Sequence, residues 1–315
     1  MRALVFDGSR LRYDSAYPDP TPPPGHALVR VTKAGICNTD LELIKGYMGF
    51  TGVPGHEFAG VVEGGAWDGR RVAGEINLAC GKCPTCRVGM PTQCPNRTTL
   101  GIDRHDGAFA DYLTLPLENL HPLPDSVSDD QAVFIEPLAA GLQTLHLTHI
   151  SPHSRVVLLG AGKLGLLTAQ VVALTGCNLT VSARHERQFA LLEKWGIEAA
   201  GPGVLPSRSA DVVIDCTGTA QGFADALALV RPRGVIHLKS TYHGLPEADL
   251  TRAVVDEVQV HTSRCGPFEA AIRLLARGLI DTEPLVEARY PLDEGLAAFE
   301  AAARRGRLKV MLDVT

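Results

Sequence analysis

The strongest hydrophobic signal in the chain lies in SRVVLLGAGKLGLLTAQVVAL, Ser154–Leu174. Four apolar residues, Val156–Leu159, run without a break and lead into glycines, after which the apolar positions recur at helical spacing. That order predicts a strand buried on both faces, a tight turn and a packed helix. Further apolar runs in NLTVSA, DVVIDCTG, GVIHLKS and EVQVHTS are separated by segments of helix length. Such alternation predicts an α/β unit with a doubly wound parallel sheet. Before about residue 140 the pattern changes to short apolar stretches, such as HALVRVTKAG, punctuated by Gly and Pro. These predict a barrel-like β domain, with Tyr17–Gly25 (YPDPTPPPG) as an extended surface connection. After Gly266 two helical patterns, FEAAIRLLARGLI and EGLAAFEAAARRG, precede a strand, LKVMLDV.

Composition narrows the class. A chain of 315 residues suits about two domains, and 45% apolar with 21% charged residues is ordinary for a folded globular protein. The net charge of −5 argues against a nucleic-acid partner. Charges interrupt the apolar residues of MRALVFDGSRLRYD too early for a signal peptide. The most hydrophobic stretch, Val156–Gly176, contains Lys163, Gln170 and four glycines, which suits a strand and helix rather than a membrane span. The expected location is therefore the cytoplasm.

Four of the eight cysteines, Cys80, Cys83, Cys86 and Cys94, follow the spacing C-x2-C-x2-C-x7-C. Four thiolates close in sequence can surround zinc tetrahedrally and leave no open position, so this loop is expected to be a structural site. Cys177, Cys216 and Cys265 sit in apolar or strand-like contexts and are expected to act as small buried hydrophobes. Cys37 differs, because Thr39 and Asp40 follow it and GHE, Gly55–Glu57, comes soon after. Taken singly, His56 also reads as a satisfied core histidine. Together with Cys37, Glu57 and Glu136 in FIEPLAAGLQTL, it makes a donor set of S, N and O type. Three such ligands leave one position open, the pattern of a catalytic zinc.

The Cys-x-Thr-Asp, the GHE, the four-cysteine loop and the later glycine turn together resemble the zinc-dependent medium-chain alcohol dehydrogenase family. The polyol, glucose and threonine dehydrogenase branch is nearest, with Glu136-Pro at the third-ligand position. The resemblance implies a GroES-like catalytic domain over residues 1–140 and 267–315 and a Rossmann domain over 141–266, with the active site in the cleft between them. It implies Cys37 and His56 as catalytic zinc ligands, with Glu57 and Glu136 as the two carboxylates, either of which can be the direct ligand. Thr39 matches the hydroxyl that takes the substrate proton, and Asp40 matches the carboxylate that fixes the His56 tautomer. Many relatives carry a histidine three residues after that hydroxyl; here Glu42 stands there, as a proton relay, a substrate contact or a surface glutamate. A homodimer or homotetramer is the family expectation. Tyr47, Met48 and Phe50 are candidates for the pocket lining or for ordinary packing, and the chain is shorter than usual relatives between GHEFAGVVEGG and DGRRVAG.

Gly160, Gly162 and Gly165 complete G-x-G-x-x-G between predicted strand and helix, where the dinucleotide fingerprint requires it. The cofactor contacts are expected at these glycines, at Lys163 and Leu164 between them, and at Thr217. About twenty residues past the turn an NAD enzyme places an acid on the ribose. This chain has Ala183 there, flanked by Ser182, Arg184 and Arg187, with Glu186 close by. A guanidinium can pair with a 2′-phosphate, so NADP(H) is expected over NAD(H). The expected activity is zinc-dependent interconversion of a small alcohol and its ketone or aldehyde by hydride transfer. The rival readings are a zinc-independent enone or quinone reductase on the same fold, and a non-catalytic protein that binds zinc and nucleotide.

Overall fold

In the computed structural model, residues 1–241 and 248–315 are described. The chain divides into two compact units, Met1–Glu136 with Phe268–Thr315, and Pro137–Pro267.

Within Pro137–Pro267 the apolar run becomes the strand Arg155–Leu159, whose Val156–Leu159 are buried. Across the sheet the strands lie in the order Glu198–Ala200, Asn178–Ser182, Arg155–Leu159, Ala210–Asp215, Val230–Leu238, Gln259–Thr262. Counted along the chain that order is 3-2-1-4-5-6, and every pairing is parallel. Helices Lys163–Ala173, Glu186–Lys194 and Ala220–Leu229 supply connections between strands. This is the dinucleotide-binding arrangement, in which a ligand meets the carboxyl ends of the strands where the order reverses. The short strand Glu198–Ala200 is absent from the apolar pattern because it is an edge strand whose residues are exposed or half-buried.

The first unit is built on a long central strand, His26–Ile36, with alternate residues buried over its first half. Strand Glu57–Glu63 runs antiparallel along one edge. Tyr112–Pro116 and Lys309–Asp313 share the other, the former beside His26–Arg30 and the latter beside Lys33–Ile36. Strands Arg71–Gly74, Leu120–Pro122 and Val286–Pro291 extend the sheet to seven. Two registers bring distant residues to one edge of this sheet. Gly35 is paired with both Glu57 and Met311, and the ladder to the last strand ends at Ile36 and Val310. The next residues outward are Cys37 and Lys309. Phe50 is buried against Phe6 and Leu43, a packing role, whereas Tyr47 and Met48 are exposed. Among the described residues no helix is long and apolar enough to cross a membrane.

A polar seam crosses the parallel sheet. His237, fully buried on Val230–Leu238, has its Nδ1 2.6 Å from Thr148 Oγ1 and its Nε2 2.7 Å from Ser263 Oγ. Burial, followed by the charge of Lys239, pushes the His237 pKa down to about 4. The unfolded chain, with an ordinary histidine near 6.5, therefore takes up the proton first as pH falls. The stabilisation is fully present above pH ~6.5 and is lost as pH falls towards 4. Thermal melts across that range should show a falling midpoint in the wild type and a flatter dependence in His237→Asn; identical slopes would remove this account of the residue.

Candidate active site and cofactor turn

Cys37 sits at the end of the central strand and opens the short helix Asn38–Leu43 as its N-cap. Its backbone N–H donates to Asp40 Oδ2 at 2.7 Å, so the turn fixes thiol and carboxylate together. Asp40 Oδ1 lies 3.2 Å from His56 Nδ1, and neither atom has a hydrogen bond elsewhere among the described residues. Both side chains are buried. A carboxylate on Nδ1 leaves Nε2 as the donor to a metal, the arrangement common around ligating histidines. Burial opposes the charged imidazole, yet the Asp40 charge and the Cys37 thiol outweigh it and raise the His56 pKa well above its ordinary value.

The ligand atoms of Cys37, His56 and Glu57 all lie within 4.8 Å of one another. A half-buried sulfur beside a buried imidazole and carboxylate, with no fourth protein donor in the group among the described residues, fits an open zinc site. Thr39 Oγ1 is 3.8 Å from Cys37 Sγ, beside this group. Glu42 pairs with Lys45 at 2.8 Å on the protein surface. Glu136, in the first turn of the helix Ile135–Leu147, is not one of the three converging donors. The register explains the difference: Glu57 opens a strand paired with the one that delivers Cys37, whereas Glu136 belongs to a separate helix.

Sequence reasoning missed Lys309. This lysine is only 2% exposed, and its ammonium donates to Glu57 Oε2. It also lies 5.9 Å from the centre of the Phe134 ring. Burial disfavours the ammonium, but the charges of Glu57 and then Cys37 raise its pKa above the ordinary lysine value. Gly35 makes room for the pair. A Cβ there would stand 2.5 Å from Val133, 2.8 Å from Glu57 Oε2 and 3.1 Å from the Lys309 Cδ. A lone lysine at the start of a terminal strand carries no sequence signal of its own.

In the four-cysteine loop all four sulfurs fall within 4.8 Å of one another. Cys83–Cys86, Cys80–Cys94 and Cys83–Cys94 are separated by 3.4, 3.5 and 3.8 Å. A tetrahedron with 2.3 Å arms has edges of about 3.8 Å, so the sulfurs already stand at zinc spacing. Backbone N–H groups of Lys82 and Cys83 pull the Cys80 thiol down to about 6, whereas desolvation and then Cys83 push Cys86 up to about 12. Neighbouring thiols divide in this way because they cannot all ionise without a cation. Cys177, Cys216 and Cys265 are all half-buried rather than core residues, and desolvation pushes the Cys216 thiol up to about 12.

The glycine turn also fits its ligand. Gly160 has φ +93°, and a Cβ on Gly165 would come within 1.8 Å of the Gly160 carbonyl oxygen. A Cβ on Gly162 would meet nothing. Chain packing therefore requires the first and third glycines, while the second keeps open the space in front of the helix N-terminus at Lys163, where backbone N–H groups attract phosphate. Lys163 and Leu164 form that first turn. Ser182 ends its strand, Ala183 is buried, and Arg184 and Arg187 are exposed. The backbone N–H of Thr217 donates to Asp215 Oδ1 at 2.9 Å, and its hydroxyl lies 3.1 Å from that of Thr219.

Family models match the chain as an alcohol dehydrogenase GroES-like domain over residues 23–125 and as a zinc-binding dehydrogenase over residues 164–277. An L-threonine 3-dehydrogenase of Streptomyces avermitilis is 32% identical, with 95% of this chain and 94% of the relative covered. The chain belongs to the zinc-dependent alcohol dehydrogenase family. Solved family members include a zinc-binding dehydrogenase from Sinorhizobium meliloti 1021 bound to NADP, at 30% identity and TM-score 0.89 with 99% of each chain covered. An alcohol dehydrogenase from Escherichia coli CFT073 complexed with NADH is 27% identical, with TM-score 0.91, and covers 100% of this chain and 99% of that one. The protein is an oxidoreductase of this family, with a zinc-binding donor set and a fold suited to a nicotinamide cofactor.

Two sets of variants test the geometry in this dehydrogenase. Lys309→Met leaves the Glu57 carboxylate buried without its cation and should cost about 3–5 kcal/mol in urea unfolding. Adding Glu57→Gln should recover a large part of that loss, and additive losses would show that the pair is not coupled. Gly165→Ala should lower the thermal midpoint through its clash with Gly160. Gly162→Ala should leave the midpoint unchanged yet weaken dinucleotide binding at least tenfold in a fluorescence titration; normal binding would show that the open space is not used.

Proposed function

We propose that the protein interconverts a small alcohol and its ketone or aldehyde, using zinc and NADP(H). The observation that carries this reading is the convergence of Cys37, His56 and Glu57 with Asp40 behind the imidazole. Cys37 and His56 are the fixed metal ligands. The third is a carboxylate: Glu57 is in reach but shared with Lys309, and Glu136 is the alternative. When bound, zinc supplies Lewis acidity and the nicotinamide exchanges a hydride.

The protein's own groups do the rest. Asp40 accepts the Nδ1 proton of His56 and so fixes the tautomer in which Nε2 faces the metal position. Thr39, beside the donor group, takes the hydroxyl proton of the substrate and passes it outward during oxidation. Lys309 compensates one carboxylate charge in a pocket where unpaired charge is costly. Backbone N–H groups at the start of Lys163–Ala173 hold the pyrophosphate. NADP(H) preference rests on the lack of an acid at Ala183 and on the exposed guanidinium of Arg184, which can pair with a 2′-phosphate. Glu42, engaged with Lys45, assists proton exit at the protein surface.

Metal analysis should find about two zinc ions per chain, one for each donor group. Cys37→Ser should keep about one and lose at least a hundredfold in kcat/KM on an alcohol panel. Comparing zinc content in Glu57→Gln and Glu136→Gln assigns the third ligand. With both cofactors, kcat/KM should favour NADP, and Arg184→Ala should reduce that advantage at least tenfold while sparing NAD. An NAD advantage in the wild type overturns the cofactor preference, and full activity in Cys37→Ser overturns the metal assignment.

A further inference from the structure

The carboxyl ends of the fourth, fifth and sixth strands of the parallel sheet carry a buried ammonium that the proposed chemistry leaves unused. Lys239 follows the strand Val230–Leu238 and is 9% exposed. Its Nζ donates to the Ala140 carbonyl at 2.7 Å and to Ser263 Oγ at 2.9 Å, with the Ser263 and Arg264 carbonyls each at 3.3 Å. Ala140 belongs to the helix Ile135–Leu147, while Ser263 and Arg264 follow the sixth strand. The ammonium thus ties helix backbone to strand-end backbone. At the same edge the Lys239 backbone N–H donates to the Asp215 carbonyl, and the charge of Lys239 acts on the Cys216 thiol at the end of the fourth strand.

Ser263 is itself held in place. Its hydroxyl meets His237 Nε2, His237 Nδ1 meets Thr148 Oγ1, and Thr148 Oγ1 meets His261 Nδ1 at 2.9 Å. An ammonium only donates, so Ser263 Oγ accepts from Lys239, and every later member of the series can both donate and accept. The seam therefore ends on a cation placed at the strand edge. An apolar side chain would fill that volume without the desolvation cost of an ammonium.

In a 3-2-1-4-5-6 sheet the dinucleotide divides at the point where the order reverses. The glycine turn and the end of the second strand serve the adenosine half, which leaves the ends of strands four to six for the nicotinamide half. We propose that Lys239, through its grip on Ser263, Arg264 and Ala140, is a positioning residue that preorganises the half-site for the nicotinamide mononucleotide part of the cofactor. This rests on the reading that Pro137–Pro267 binds a nicotinamide dinucleotide. It concerns a residue of this chain and not the shared glycine motif.

Binding measurements separate the halves. The probes are NADH and NADPH, followed by fluorescence, and AMP and adenosine 2′,5′-bisphosphate, which lack the whole mononucleotide half, followed by calorimetry, all on the zinc-loaded full chain. Lys239→Met should weaken the better reduced dinucleotide at least tenfold while changing the matching adenosine ligand less than twofold. Ser263→Ala, which removes only one hydroxyl, should weaken the dinucleotide at least threefold with the same sparing of the adenosine ligand, and it serves if Lys239→Met does not fold. Equal losses on both probes, as general loosening would give, overturn the proposal, and so does unchanged dinucleotide affinity. Wild-type protein that binds none of the four probes would instead overturn the cofactor reading itself.

Discussion

The register at the end of one strand governs the candidate active site. His26–Ile36 pairs with Glu57–Glu63 on one side and with Lys309–Asp313 on the other, so Cys37, His56, Glu57 and Lys309 emerge at a common edge although 252 residues separate Glu57 from Lys309. A slip of one residue in either pairing would turn these side chains to the opposite face. Gly35 shows how tightly the register is used, because only a residue without a Cβ fits beneath the Glu57–Lys309 pair.

Charge gives that edge its chemistry. Asp40, Glu57 and the Cys37 thiolate can each carry a negative charge, and Lys309 offers one positive charge. A divalent ion brings the group to neutrality, which matters because Asp40, Glu57 and Lys309 are buried and unbalanced charge there is costly. The four-cysteine loop solves the same problem differently, by local spacing rather than by strand pairing. Its sulfurs are near neighbours in sequence and stand at zinc distances without help from remote strands.

That difference explains what could be read from residues alone. The cysteine loop and the glycine turn were legible because each is a local arrangement with its own spacing. The parallel strands were legible as apolar runs, except Glu198–Ala200, whose exposed edge leaves no apolar signature. Lys309 and Gly35 were invisible because their roles arise only when three distant strands align. The seam from Lys239 to His261 was hidden too, since His237 and His261 look like ordinary members of apolar strands until parallel register places them side by side. Sequence also left two carboxylates in competition; the structure brings Glu57 within reach of Cys37 and His56 and engages it with Lys309.

The position of Lys309 along the chain has a consequence for biosynthesis. Its strand leaves the ribosome only after all of Pro137–Pro267 has been made, so the first unit waits for an entire intervening unit before its central strand gains its third partner. Until then the nascent pocket holds acidic groups without their lysine, and the sheet has an unpaired edge beside Lys33–Ile36. Completion of the first unit is thus a late, long-range closure of the kind that slows folding, and during translation Pro137–Pro267 can form before the first unit is finished.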